Sequence, residues 1–202
     1  SRVAEYDTAV RQGAWKQAKT FCVMPYPMQE LAGKTLAVVG YGSIGRKVAA
    51  IGAAFGMRPV IATRTQPADC PYPLVTVDEA FRLADVLTLH VPLTEQTAGM
   101  VNARRLSAMK PTALLVNTAR GGLIVETDLA QALRDGVIAG AALDVLTEEP
   151  MGDTPLADLE NCTLTPHVAW TPLETRQRLL EQAVENVRCW LDGKPQNVIT
   201  AP

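Results

Sequence analysis

Short, almost wholly apolar runs alternate along this chain with longer stretches in which apolar residues recur every three or four positions. The runs are Thr35 to Gly40, Pro59 to Thr63, Val86 to Val91, Ala113 to Thr118, Ile138 to Val145 and Cys162 to His167. Each is too short to be a helix and lacks a polar face, which is the pattern of a strand covered on both sides. Between them the spacing predicts helices over 43–55, 79–84, 102–109, 126–135 and 174–191. Asp78 is expected to cap the second of these, and Gly136 to stop the fourth. Residues 1–19 suit a helix ending near Gly13, and the prolines at 25 and 27 make 20–30 an extended linker. Leu31 to Lys34 reads as a turn, and a proline-rich loop over 65–73 leads into Leu74 to Val77. Strands alternating with helices predict an α/β fold built on a parallel, doubly wound sheet with right-handed crossovers.

In such a sheet, ligands sit beyond the carboxyl ends of the strands. The first of those ends reads Gly40-Tyr41-Gly42-Ser43-Ile44-Gly45 and opens an amphipathic stretch. This is G-x-G-x-x-G in a strand–turn–helix setting, the Rossmann-type arrangement for a dinucleotide pyrophosphate. Gly40 serves the tight turn, Gly42 the approach of the phosphates, and Gly45 the close packing of helix on strand. About 20 residues further on, NAD-binding units usually carry a carboxylate for the ribose hydroxyls. Thr63-Arg64-Thr65 stands there instead. A carboxylate would repel a 2′-phosphate, whereas Arg64 and the hydroxyls attract one. NADP(H) is therefore expected to be preferred, with NAD(H) as the alternative.

Four strand-end segments carry polar residues: Leu89 to Thr97, Val116 to Gly122, Ala142 to Pro150 and Leu164 to Trp170. A site beside a nicotinamide needs a cation for an anionic substrate and an acid/base that titrates near neutrality. Arg120 suits the first, because its planar fork matches a carboxylate. His167 suits the second, since an unperturbed imidazole titrates near 6.5. Glu149 is the candidate carboxylate to orient the ring.

Composition narrows the partners. Of 202 residues 48% are apolar and the net charge is −2, so a core is available and no basic patch for nucleic acid is evident. No apolar run approaches the ~20 residues that span a bilayer. Cys22, Cys70, Cys162 and Cys189 are scattered without metal-ligand spacing, and His90 and His167 stand far apart in sequence. Reduced thiols in a cytoplasmic protein and no metal site are expected.

The chain resembles the cofactor-binding part of the D-isomer-specific 2-hydroxyacid dehydrogenases. The similar segments are Glu30 to Leu36, Gly40 to Gly45, His90-Val91-Pro92-Leu93-Thr94, Asn117 to Gly122, Ala142 to Val145 with Glu149-Pro150, and Thr165-Pro166-His167. They follow the family's order. His167 to Trp170 is similar to its glycerate dehydrogenase and hydroxypyruvate reductase branch. The resemblance implies Arg120, Glu149 and His167 as catalytic residues. It implies cofactor contacts at Ser43, Ile44, Val91, Pro92, Thr97, Thr118, Ala119, Arg120 and Asp144. Where the family usually has aspartate after the second strand, Thr63 stands here. The resemblance further implies a small 2-oxo or 2-hydroxy acid substrate, a homodimer, and a substrate domain that is mostly absent from this chain. On that basis 1–30 is a crossover helix and linker, 31–171 the dinucleotide-binding domain, and 172–202 a helix and tail returning towards the substrate domain. Two other readings are a nucleotide-sensing, corepressor-like module and a cofactor-binding fragment inactive alone.

Overall fold

A computed structural model of the chain describes residues 3–26, 28–65 and 67–199. Six parallel strands form one sheet: β1 (Thr35–Val39), β2 (Arg58–Ala62), β3 (Val86–Leu89), β4 (Leu114–Asn117), β5 (Gly140–Leu143) and β6 (Cys162–Leu164). Their spatial order is β2-β1-β3-β4-β5-β6, so the winding reverses between β1 and β3. Leu74 adds a single parallel bridge to Ile61 outside β2, closed by hydrogen bonds from Ile61 N to Pro73 O and from Val75 N to Ile61 O. The segment after the proline-rich loop is thus the rudiment of a further strand.

Alternation along the strands explains their apolar runs. Ala37 and Val39 of β1 point into a large cluster with Phe81, Leu87, Leu89, Leu115 and Leu129. Their neighbours Leu36 and Val38 point to the opposite face, against Ala49, Met57 and Ile61. Successive side chains leave a strand on opposite sides, so a strand covered on both must be apolar throughout.

The helices are α1 (Val3–Arg11), α2 (Ser43–Ala54), α3 (Val77–Leu83), α4 (Ala103–Leu106), α5 (Glu126–Arg134) and α6 (Leu173–Leu191). One expectation is corrected: Thr76, not Asp78, caps α3. The Thr76 hydroxyl accepts from Glu79 N while the Glu79 carboxylate accepts from Thr76 N, a reciprocal pair that satisfies two otherwise orphaned donors. Asp78 lies in the first turn and takes Arg105 at 2.7 Å and Arg104 at 3.1 Å, tying α3 to α4. Several elements are shorter than the sequence predicts. The helix expected over 102–109 regularises only over 103–106 behind an Asn102 cap, and the run 138–145 is strand only over 140–143. Apolar runs overshoot strands because residues just past a buried strand are still covered. No described helix is long and apolar enough to cross a membrane. Helix α6 has no buried residue, and Leu179, Leu180, Val187 and Trp190 along it are exposed.

The Asp78 carboxyl is held down at about 2, first by the Arg105 hydrogen bond and then by that of Arg104. Its folded value lies below the ordinary 3.8, so its stabilising contribution is complete above that value and is lost as pH falls towards 2. Replacing Asp78→Asn should remove that part of the acid limb from an unfolding-versus-pH curve. An acid limb identical in both proteins would contradict the assignment.

Candidate active site

The residues singled out from the sequence converge on the carboxyl edge of the sheet. Gly40 follows β1 with φ +98, and a Cβ there would collide with the carbonyl of His90, just past β3. A Cβ on Gly45 would run into the Gly40 carbonyl, so α2 meets the strand end backbone to backbone. Gly42 is the N-cap of α2, provides no side-chain cap, and has open space where its Cβ would lie. Ser43 and Ile44 stand exposed in the first turn. A helix start with uncapped N–H groups facing open space is a ready site for a phosphate. Beside it, at the reversal of the winding, lies a cavity of about 490 Å³ lined by Ile44, His90, Val91, Pro92, Thr118 and Arg120, among others. These features fit a dinucleotide.

The rim of this cradle is fixed by local bonds. The Thr97 hydroxyl donates to Pro92 O at 2.7 Å and accepts from Thr94 N at 2.8 Å, so it shapes the 91–97 loop from within. Arg46 grips Asp69 at 2.8 and 3.1 Å and lies 4.5 Å over the Tyr41 ring, which pins the proline-rich loop onto the glycine loop. Thr63 is half-buried just past β2. Arg64 is exposed and makes no hydrogen bond or ion pair with another described residue.

At the end of β4, the buried Asn117 builds the platform for Arg120. Its amide Nδ2 donates to Arg120 O at 2.8 Å, and its Oδ1 accepts from Ala119 N at 3.0 Å. The Arg120 guanidinium gives one N–H to Ala119 O at 2.6 Å, leaving the outer fork for a ligand.

Past β6, His167 Nδ1 meets Glu149 Oε2 at 2.7 Å. The other Glu149 oxygen accepts from Leu146 N at 3.0 Å. Glu149 is pulled below the usual carboxylate range by His167 first; the Leu146 N–H and the charge of Arg120 add to this, against the opposing effect of burial. It is thus an anion fixed against Nδ1, which aims Nε2 away from the pair. His167 has φ +54, a conformation uncommon for a non-glycine residue, and it is held there by its neighbours. Its N–H donates to Asp144 O at 2.9 Å and to Thr165 O at 3.0 Å. The buried Asp144 carboxylate accepts from Thr165 Oγ1 at 2.6 Å and from Val168 N and Ala169 N, both at 2.9 Å. Burial, the largest single effect, raises the Asp144 carboxyl; the Thr165, Ala169 and Val168 hydrogen bonds and the charge of His167 outweigh it, and the net shift is downward. A carboxylate offers about four acceptor positions, so one on Oδ2 is left for an incoming donor.

Three contributors were not foreseen from the sequence: Asn117, Thr165 and Glu126. Glu126, in the first turn of α5, accepts from Thr147 N and Thr154 Oγ1, each at 2.7 Å, and so braces the loop that carries Glu149. Only the polar type of these residues was legible; their partners lie 21 or more positions away or inside tight turns. A second cavity, about 620 Å³ and walled by Leu146, Met151, Ala157, Leu164 and Pro166, lies against the Glu149–His167 pair. Together the edge offers an anion cradle, a guanidinium and an oriented imidazole–carboxylate pair.

Comparison with known proteins agrees with this geometry. Residues 1–169 match the family model described as D-isomer specific 2-hydroxyacid dehydrogenase, NAD binding domain. The chain is 45% identical over 202 residues to a glycerate dehydrogenase from Methylorubrum extorquens, covering 98% of this chain and 63% of that protein. It is 41% identical over 204 residues to a hydroxypyruvate reductase from Blautia hydrogenotrophica, covering 98% and 62% respectively. A solved acyclic imino acid reductase (Bsp5), in complex with NADPH and D-Arg, superposes with a TM-score of 0.87 at 33% identity, over 98% of this chain and 62% of that one. The chain thus spans a little over 60% of the length of the relatives it matches. It belongs to the D-isomer specific 2-hydroxyacid dehydrogenase family, and what it contains is the family's NAD binding domain.

Proposed function

We propose that this chain is the cofactor-binding and acid/base half of an enzyme that reduces a small 2-oxo acid of the hydroxypyruvate or glyoxylate kind to the D-2-hydroxy acid. The observation that carries the proposal is the 2.7 Å contact between His167 and Glu149, on the same sheet edge as Arg120 and the glycine cradle. The names of the relatives agree with it. Catalytic roles go to Arg120, Glu149 and His167. Cofactor contacts go to Gly40, Gly42, Ser43, Ile44, Gly45, Thr63, Arg64, Val91, Pro92, Thr118, Ala119, Arg120 and Asp144, with Thr97 shaping the 91–97 loop.

The uncapped start of α2 would hold the pyrophosphate, and Asp144, with an acceptor position left, would hold the carboxamide. When bound, the nicotinamide supplies a hydride to the carbonyl carbon of the 2-oxo acid. Arg120 binds the substrate carboxylate through its outer fork and polarises the carbonyl. The imidazolium of His167 keeps its Nδ1 proton on Glu149 and gives its Nε2 proton to the carbonyl oxygen as charge develops there. In the reverse direction neutral His167, still bonded through Nδ1–H, accepts the hydroxyl proton at Nε2. Glu149 therefore fixes the ring orientation and the tautomer in both directions.

NADP(H) is the preferred cofactor in this reading. The support is Arg64, exposed and not bonded to another described residue, beside Thr63 where a carboxylate would otherwise stand. The apolar residues exposed along α6 support a covered face and, with it, a homodimer. The free cysteines support a cytoplasmic setting.

Two outcomes are expected of the protein at its natural length. His167→Asn, chosen because asparagine tolerates the left-handed backbone, should cost about 10²- to 10⁴-fold in kcat with hydroxypyruvate, the usual worth of a general acid. Cofactor affinity by fluorescence titration should hardly change; full turnover would sink the mechanism. Arg64→Ala should weaken NADPH binding about ten- to a hundredfold, the loss of a charge-assisted contact, and leave NADH nearly unaffected. Wild-type protein that binds NADH about tenfold more tightly than NADPH, a difference of ~1.4 kcal/mol, would overturn the preference.

A further inference from the structure

The turn that presents His167 is wrapped around a single carboxylate. Residues 167, 168 and 169 give successive backbone N–H groups to Asp144: His167 N to its carbonyl oxygen, Val168 N to Oδ1 and Ala169 N to Oδ2. Two of these bonds are available only if Asp144 keeps one rotamer, and they are stronger to its ionised form. The side chain that supports both is Thr165. Its hydroxyl lies 2.6 Å from Asp144 Oδ1, the shortest of the three bonds to that carboxylate. An ionised carboxylate only accepts, so the hydroxyl must donate. Thr165 is also anchored at both backbone ends, with its N–H on Leu143 O and its carbonyl taking His167 N, each at 3.0 Å. It therefore links the end of β5, the end of β6 and the turn in one closed circuit.

We propose that Thr165 is a positioning residue for the reaction: through Asp144 it holds His167 in its left-handed conformation, with Nδ1 on Glu149 and Nε2 facing the substrate. Thr165 touches no reacting atom; it acts on His167 only through the carboxylate. Without the hydroxyl, Asp144 Oδ1 loses one of its two donors and the side chain is free to turn from the 168 and 169 N–H groups. The turn then relaxes towards ordinary backbone angles, and the imidazole leaves Glu149. The role rests on the reading of His167 as proton donor, but the geometry it controls is observable without turnover.

The test compares Thr165→Val, which keeps the shape and removes the donor, with Thr165→Ser, which keeps the donor. In the protein at its natural length, Thr165→Val should lower kcat about ten- to a hundredfold, as expected when a catalytic group is displaced by about 1 Å. Its thermal midpoint should show that it remains folded, and Thr165→Ser should restore most of the rate. A second arm needs no substrate. In NMR of protein labelled with ¹⁵N in its histidine rings, His167, assigned with His167→Asn, should show a downfield, slowly exchanging Nδ1–H signal in the wild type and in Thr165→Ser. In Thr165→Val that signal should be lost. An unchanged kcat, or an unchanged Nδ1–H signal, in a folded Thr165→Val protein overturns the proposal. A wild type that reduces no 2-oxo acid while the Nδ1–H signal still depends on the Thr165 hydroxyl overturns the functional reading and supports the positioning role.

Discussion

A buried carboxylate organises the reacting end of this domain. Asp144 comes off β5 into a place where burial alone would favour its neutral form, yet the Thr165 hydroxyl and the Ala169 and Val168 N–H groups hold it charged. That anion determines where the chain goes after β6. The backbone closes around it, and the closure puts His167 at φ +54. An unusual backbone angle of this kind costs on the order of 1–3 kcal/mol and persists only where its surroundings over-determine it. Here the surroundings are the hydrogen bonds to Asp144 and the one to Glu149. The left-handed turn at His167 lets one residue give its N–H to Asp144 O while its side chain reaches Glu149.

The sheet supplies the rest by a simpler constraint. Parallel strands covered on both faces end together at one edge, and reversal of the winding between β1 and β3 opens a crevice there. Close approach then decides the residue types. Gly45 and Gly40 permit backbone contact between helix, strand and loop, whereas among the described residues nothing lies within 4 Å of where a Gly42 Cβ would be. The same edge carries Arg120 on a platform fixed by the buried amide of Asn117. Arg120, the Glu149 loop and His167 are thus each held by polar neighbours: Asn117 beneath Arg120, Glu126 behind the Glu149 loop, Asp144 and Thr165 beneath His167.

This division explains what the sequence revealed and what it withheld. The strands, the glycine loop at the start of α2 and the placing of Arg120, Glu149 and His167 at one sheet edge were legible, because apolar periodicity and strand-end position are local signals. The supports were not. Asn117 looks like an ordinary strand-end polar residue until the 119–120 turn closes over its amide, and Thr165 does so until the Asp144 side chain is placed in space. Glu126 looks like a helix-start carboxylate, and its partners Thr147 and Thr154 lie 21 and 28 residues away. Asp78 was misplaced for the opposite reason. It has the right chemistry for a cap, but Thr76, two residues earlier, forms a reciprocal box with Glu79, and two arginines from α4 claim the aspartate.

The proposed reaction requires one geometry: a 2-oxo acid bound beside the cofactor, held by Arg120 and facing Nε2 of His167. The direct measurement is a crystal structure of the natural-length protein with NADPH and oxamate, a non-reacting isostere of a small 2-oxo acid. The predicted result is the oxamate carboxylate on the Arg120 fork, the keto-equivalent oxygen within hydrogen-bonding distance of His167 Nε2, about 2.6–3.2 Å, and the carboxamide of the nicotinamide on Asp144. Oxamate bound away from Arg120, or a His167 ring turned so that Nε2 faces Glu149, would contradict it.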